Sequence, residues 1–204
     1  MTAITDLGDL MRLARMSISE PREAAAILLR APLPREALWM MFCLVVVSAM
    51  LFAQLNAIFL EAAGVPQLGA DAPEPPMMIS PLSQGIIQGF VLGGVAMAVH
   101  RIGRLFGGDG GFDGALMLVT FHQFVFILVQ AVTVVVSMVF PPFAFIVLLA
   151  ATGLFFWMLV NFIAELHGFA SLLAVFGVVI VAAAILYFIL LQVILSLGLA
   201  GPIG

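Results

Sequence analysis

Apolar residues dominate this chain in five long runs, and most polar residues lie between these runs or near the start of the chain. The runs cover residues 37–60, 82–103, 114–140, 143–165 and 171–199, to within a few positions. A bilayer core of roughly 30 Å is crossed by about 20 helical residues, and each run is that long. The pattern therefore predicts an all-α polytopic integral membrane protein with a five-helix transmembrane bundle.

The segment 1–36 is the extended polar part of the chain, and it carries five of the seven arginines, interleaved with acidic residues. Apolar residues recur at helical spacing over 7–14 and again over 25–29. We expect two short amphipathic helices on the cytosolic side of the membrane surface. A disordered cytosolic tail is the alternative. The transmembrane domain then covers residues 37–204.

Composition excludes several classes of function. Charged residues make up 9% of the chain, against about 25% in soluble domains, so lipid must cover most of its surface. The chain has no lysine, which excludes Schiff-base chemistry and a Walker A phosphate loop. The single cysteine, Cys43, has no partner for an intramolecular disulfide. We expect no catalytic residues, cofactor, metal, nucleotide or nucleic-acid partner.

Small residues recur along the second apolar run. Gly85, Gly89 and Gly93 are spaced four apart and therefore share one face of a helix. Such a strip lets a neighbouring helix approach closely inside a membrane. We expect this strip to pack against another helix of the same chain, with self-association as the alternative.

A glycine-rich turn, residues 107–111, follows the second run directly after Arg101 and Arg104. No strand precedes it, and position 113 is aspartate, so the dinucleotide-binding spacing is absent. The glycines predict a tight, water-exposed connection between two spans, because glycine tolerates positive φ angles.

Polar side chains also fall within or at the ends of the apolar runs, where they are expensive and often functional. The candidates are His122, Gln123, Gln130, Asn161, Glu165, His167, Arg101 and Arg104. One interpretation is a proton or ion path, or a binding site. The other is an interfacial cluster in which Glu165 pairs with Arg101 or Arg104 and His122 bonds within the bundle. Metal binding by His122, Glu165 and His167 is disfavoured, because no tight ligand spacing occurs.

The arginines also predict the orientation. They precede the first run or follow the second, and the loop after the first run has none. The positive-inside rule places the N-terminus and the glycine turn in the cytoplasm, so five spans put the C-terminus outside.

Three stretches resemble the Ypt/Rab-interacting-protein (Yip) family, in a bacterial member. They are 21–25 with Leu28 and Leu29, 104–112 with Ala115 and Leu116, and Trp157 with 165–171. The resemblance implies a five-helix protein of the inner membrane with a cytosolic N-terminus and supplies no catalytic residues. Eukaryotic relatives associate with Rab-type GTPases, a partner that we do not transfer to this chain.

The sequence is compatible with two functions. The first is a non-enzymatic membrane protein that organises protein partners or lipids, with membrane lipids, other membrane proteins or a second copy as its partners. The alternative is a small transporter or channel with a polar path along the third and fourth spans. A polar cavity reaching mid-membrane favours the alternative, and a dry bundle favours the first.

Overall fold

The computed structural model describes residues 6–31, 33–62 and 80–196. These residues form two short helices, five long helices and one 3₁₀ turn, with no strand among them, which confirms the all-α prediction. The short helices are α1 (Leu7–Ser19) and α2 (Pro21–Leu29). The long helices are α3 (Arg35–Ala62), α4 (Pro81–Leu105), α5 (Phe112–Val139), α6 (Ala144–His167) and α7 (Leu172–Ser196), with the turn Pro141–Phe143 before α6.

The five long helices are each long and apolar enough to cross a bilayer, with mean hydropathies between 1.6 and 2.9 in their most apolar windows. Most of their surface is not covered by protein, as expected for helices that contact lipid. The chain is therefore a multi-pass membrane protein. The loop expected between the first two spans and the chain end lie largely outside the described residues, at 63–79 and 197–204.

The helix α5 lies at the centre of the bundle and packs against α2, α3, α4 and α6. Its first half is enclosed, since residues 115–122 are all buried. The second half is half-buried, and α7 packs chiefly on α6 through its first turns, around Val175. The tight core therefore lies at the end of the bundle where α5 begins and α6 finishes.

The two short helices belong to this core. The carboxylate of Asp6 caps α1 by accepting a hydrogen bond from the Asp9 amide at 2.8 Å. On α2, Ala24 and Ala25 are completely buried and Leu28 is nearly so, against α5 and α6. A disordered tail is therefore wrong for residues 7–29.

The helices α3 and α4 pack along the glycine strip. Gly85, Gly89 and Gly93 lie on one face of α4, and a Cβ added at each of them would contact a side chain of α3. The facing side chains are Met50 at Gly85, Val46 at Gly89 and Phe42 at Gly93. A hydrogen bond from Gln54 to Gln84, 2.7 Å long, joins the same two helices.

Enlarging Ala25 to leucine should destabilise the fold, because this position has no free space against α5 and α6. Overpacking of this kind costs about 1–3 kcal/mol. The measurement is thermal unfolding in detergent micelles. The control is Ala26→Leu, which enlarges a half-buried neighbour on the same helix. Equal melting temperatures for the two variants would contradict the packing of α2.

Candidate functional site

His167, the last residue of α6, joins three parts of the chain. Its imidazole is buried, with 4% of its surface exposed. The Gly110 amide donates a hydrogen bond to Nδ1 at 3.1 Å, and Nε2 donates to the Val99 carbonyl of α4 at 3.1 Å. Because an amide only donates and a carbonyl only accepts, these bonds require a neutral ring with its proton on Nε2. The ring thus ties α6 to α4 and to the turn that follows α4.

Glycines make the room for this ring. An added Cβ at Gly103 would overlap the imidazole, and one at Gly108 or Gly110 would lie 2.5 or 2.6 Å from His167 atoms. Real Cβ atoms do not approach other atoms so closely. The absence of side chains at these three positions is therefore a packing requirement, beyond any need for flexibility in the turn.

The end of α4 folds back so that the turn reaches His167. Gly107 adopts a left-handed conformation with φ of 84°. Its amide bonds to the Arg104 carbonyl at 3.1 Å, and the Gly108 amide bonds to the Gly103 carbonyl at 2.9 Å. This is the Schellman pattern, which ends a helix and reverses the chain direction. Glycine at 107 is required for its positive φ.

The end of α6 is closed in the same way. Gly168 has a φ of 70°, and the Phe169 amide bonds to the Ala164 carbonyl at 2.8 Å. The Phe169 ring stacks on His167, with ring centres 5.5 Å apart. Arg22 of α2 donates to the Phe169 carbonyl at 2.6 Å. A cation at this position suits the negative end of the helix dipole, so Arg22 fixes α2 to the end of α6.

His100 extends the network to a second histidine. Its Nδ1 donates to the Gly110 carbonyl at 2.9 Å, and its ring lies edge-on to Phe112. Gly110 therefore bonds to His167 through its amide and to His100 through its carbonyl. We call His100, His167, Arg22 and the glycines 103, 108 and 110 the histidine–glycine junction.

Charges outside this junction lie at its rim. Arg35 pairs with Asp113 at 3.1 Å, and both side chains are more than half exposed. Exposed ion pairs of this kind contribute little stability. On α2, a hydrogen bond to Glu20 and repulsion from its carboxylate raise the pKa of Glu23.

His122 occupies a different site, inside α5. Its Nε2 donates to the Phe155 carbonyl of α6 at 3.1 Å, and its ring lies edge-on to the Phe155 ring, with centres 4.6 Å apart. Phe126 and Phe162 surround it as well. His122 is therefore enclosed by aromatic rings and bonded within the bundle.

The remaining candidates do not gather around either histidine. Gln123 and Gln130 are half-buried on α5, and the Asn161 amide bonds to the Trp157 carbonyl of its own helix at 2.7 Å. Glu165 is half-buried, whereas Arg101 and Arg104 are exposed. In the part of the chain that the structure describes, Glu165 forms no ion pair with either arginine. The interpretation in which Glu165 pairs with Arg101 or Arg104 is therefore wrong: both arginines are exposed on α4, without an ion pair to the half-buried Glu165 at the end of α6.

A small apolar cavity lies between α4, α5 and α6. It has a volume of about 10 Å³, which is at the lower limit for one water molecule. Val99, Leu118, Phe162 and Leu166 are among its apolar lining residues. Over residues 6–31, 33–62 and 80–196, no three His, Cys, Asp or Glu side chains gather as a metal site would require.

Sequence reasoning missed the parts of the junction contributed by Arg22, His100 and the glycines. It assigned the glycines to a turn and did not pair them with His167, 57 residues away. The available signal was the set of three stretches that carry the family resemblance. In the structure all three meet here: α2 through Arg22, the turn through Gly110, and the end of α6 through His167.

Five apolar helices, closed at one end by this junction, define a multi-pass membrane bundle. The family model described as the Yip1 domain matches residues 17–193. The chain belongs to this family. All residues of the histidine–glycine junction, from Arg22 to His167, lie within the matched range. No curated protein and no solved structure matches the chain significantly.

A methyl group at Gly103 should destabilise the protein although alanine is the better helix former. The added Cβ would overlap His167, a clash that costs about 1–3 kcal/mol and outweighs a propensity gain of about 1 kcal/mol. Gly94→Ala on the same helix is the control, because its Cβ would meet nothing within 4 Å. Thermal unfolding in micelles measures both. Equal or greater stability of Gly103→Ala would refute the close contact with His167.

Proposed function

We propose that this protein is a non-enzymatic membrane scaffold of the Yip type that organises protein partners or lipids in the bilayer. The observation that carries this proposal is the histidine–glycine junction. Both ring nitrogens of His167 are engaged by backbone groups, so the ring is held as a structural link and offers no free base. A general base needs an accessible lone pair directed at a substrate.

The junction also gives the scaffold a rigid cytosolic end. Arg22 holds α2 against α6, and α1 packs on α2. The outer side of α1 keeps apolar residues exposed, with Leu7 at 68%, Met11 at 40% and Ile18 at 42%. Met11 and Ile18 lie seven residues apart and share a face. A rigid base with an exposed apolar face supports a role in holding a partner.

Photo-crosslinking in the native membrane tests this role. A photoreactive residue at Met11 or Ile18 should capture the same protein from either position. The same group at Phe90, which is 78% exposed on α4, should capture lipid. The scaffold proposal fails when neither α1 position yields a discrete product and the purified protein shows no lipid preference.

A transporter or channel is the second candidate. The hydroxyl of Thr120 is buried without a hydrogen-bond partner, and Gln123 and Gln130 are only half-buried on the same helix. These groups favour a polar path. The small apolar cavity and the internal bond of His122 favour the scaffold. Proteoliposomes that pass protons, ions or small solutes above empty controls would favour the second candidate.

We also propose that the protein resides in a bacterial inner membrane, with the histidine–glycine junction on the cytoplasmic side. All seven arginines lie on the side of α1, α2 and the α4–α5 turn, and the positive-inside rule places that side in the cytoplasm. A fluorescent reporter fused to the N-terminus should be active. A periplasm-dependent phosphatase fused after residue 204 should be active as well. Fluorescence of the same reporter fused after residue 204 would contradict this orientation.

A further inference from the structure

The outward face of α4 is apolar over most of its length and ends in two arginines, Arg101 and Arg104. Phe90, Gly94, Met97, Arg101 and Arg104 recur at intervals of three or four, so they form one row along the helix. Every member of the row is exposed. The apolar part of this row faces lipid, because α4 is a membrane span that packs against α3 and α5 on its other sides.

Gly94 opens a notch in the middle of the row. Nothing lies within 4 Å of a Cβ added there, whereas large side chains stand above and below it at Phe90 and Met97. From Phe90 to Arg101 the helix rises roughly 16 Å. This length matches one leaflet, which is about half of a 30 Å hydrocarbon core. An acyl chain lying in the notch therefore reaches the level of Arg101.

The two guanidinium groups are available to an external anion. Arg101 and Arg104 lie one helical turn apart, and over residues 6–31, 33–62 and 80–196 neither forms an ion pair. Arginine presents planar donors that bind phosphate oxygens in pairs. Leu105 and Phe106, which are 83% and 63% exposed, follow immediately and add apolar surface at this end of α4.

We propose that the outward face of α4 binds one anionic phospholipid, with an acyl chain over Gly94 and its phosphate on Arg101 and Arg104. A zwitterionic lipid carries its own cation beside the phosphate and competes poorly for the two arginines. This proposal names the lipid class that the proposed scaffold would bind. It rests on the part of the proposed function that concerns lipids, and not on the part that concerns protein partners. Photo-crosslinking to proteins at Met11 and Ile18 is independent of it.

The test titrates phosphatidylglycerol or phosphatidylcholine into mixed micelles of the delipidated full-length protein and follows the melting temperature. The wild-type protein should gain stability at lower concentrations of phosphatidylglycerol. Replacing both cations, as R101Q/R104Q, should weaken this response about thirtyfold, since each arginine near an anionic lipid contributes about 1 kcal/mol. The double variant R12Q/R15Q removes the same charge from exposed positions on α1 and should retain the response.

A second variant tests the proposed acyl-chain site at Gly94 without changing the charge of the protein. Gly94→Leu fills the notch, meets no atom of the protein itself at its Cβ, and should also weaken the phosphatidylglycerol response. Inorganic phosphate alone should not stabilise the protein, because it lacks the acyl chain. The proposal is overturned by an unchanged response in R101Q/R104Q, by equal loss in R12Q/R15Q, or by stabilisation with inorganic phosphate equal to that with lipid.

Discussion

The structure depends on a neutral imidazole held between two backbone groups at the membrane boundary. His167 accepts from the amide of Gly110 and donates to the carbonyl of Val99. A buried amide without a partner costs about 1–3 kcal/mol, and lipid offers it no alternative partner. The buried amide of Gly110 in the α4–α5 turn therefore takes its hydrogen-bond partner, His167, from α6. One side chain thus fixes the relative positions of three segments.

This constraint accounts for the arrangement around it. Because His167 fills the space beside the turn, glycines 103, 108 and 110 cannot carry side chains. Because Gly168 terminates α6 just after His167, the carbonyl of Phe169 is left for Arg22, which brings α2 into the core. The short N-terminal helices are thereby part of the folded unit. A tightly packed end on a bundle open to lipid is the physical basis of the scaffold role that we propose.

The five long helices could be predicted from sequence because the signal is local. An unbroken apolar run of more than 20 residues has one stable solution in a bilayer, a helix. The glycine strip of α4 was equally readable, since spacing by four puts residues on one face whatever the rest of the fold does. The structure places α3 against that strip, at Met50 and Val46.

The junction could not be predicted in the same way. Its bonds join residues separated by 57, 68 and 147 positions, and no periodicity in one sequence encodes such pairs. Charge alone is also insufficient, because Glu165 and the arginines of α4 lie near the same end of the bundle but form no ion pair. Two residues at the same depth in the membrane need not touch. Whether they do depends on the direction in which each side chain leaves its helix, which the sequence alone does not give.

The most direct measurement is the protonation state of His167 by ¹⁵N NMR of the histidine-labelled protein, whose three histidines give a spectrum simple enough to assign with His167→Phe. At neutral pH the account predicts one fixed tautomer, with the proton on Nε2 and Nδ1 coupled to the amide of Gly110. A cationic ring, the opposite tautomer, or rapid exchange between tautomers would contradict it.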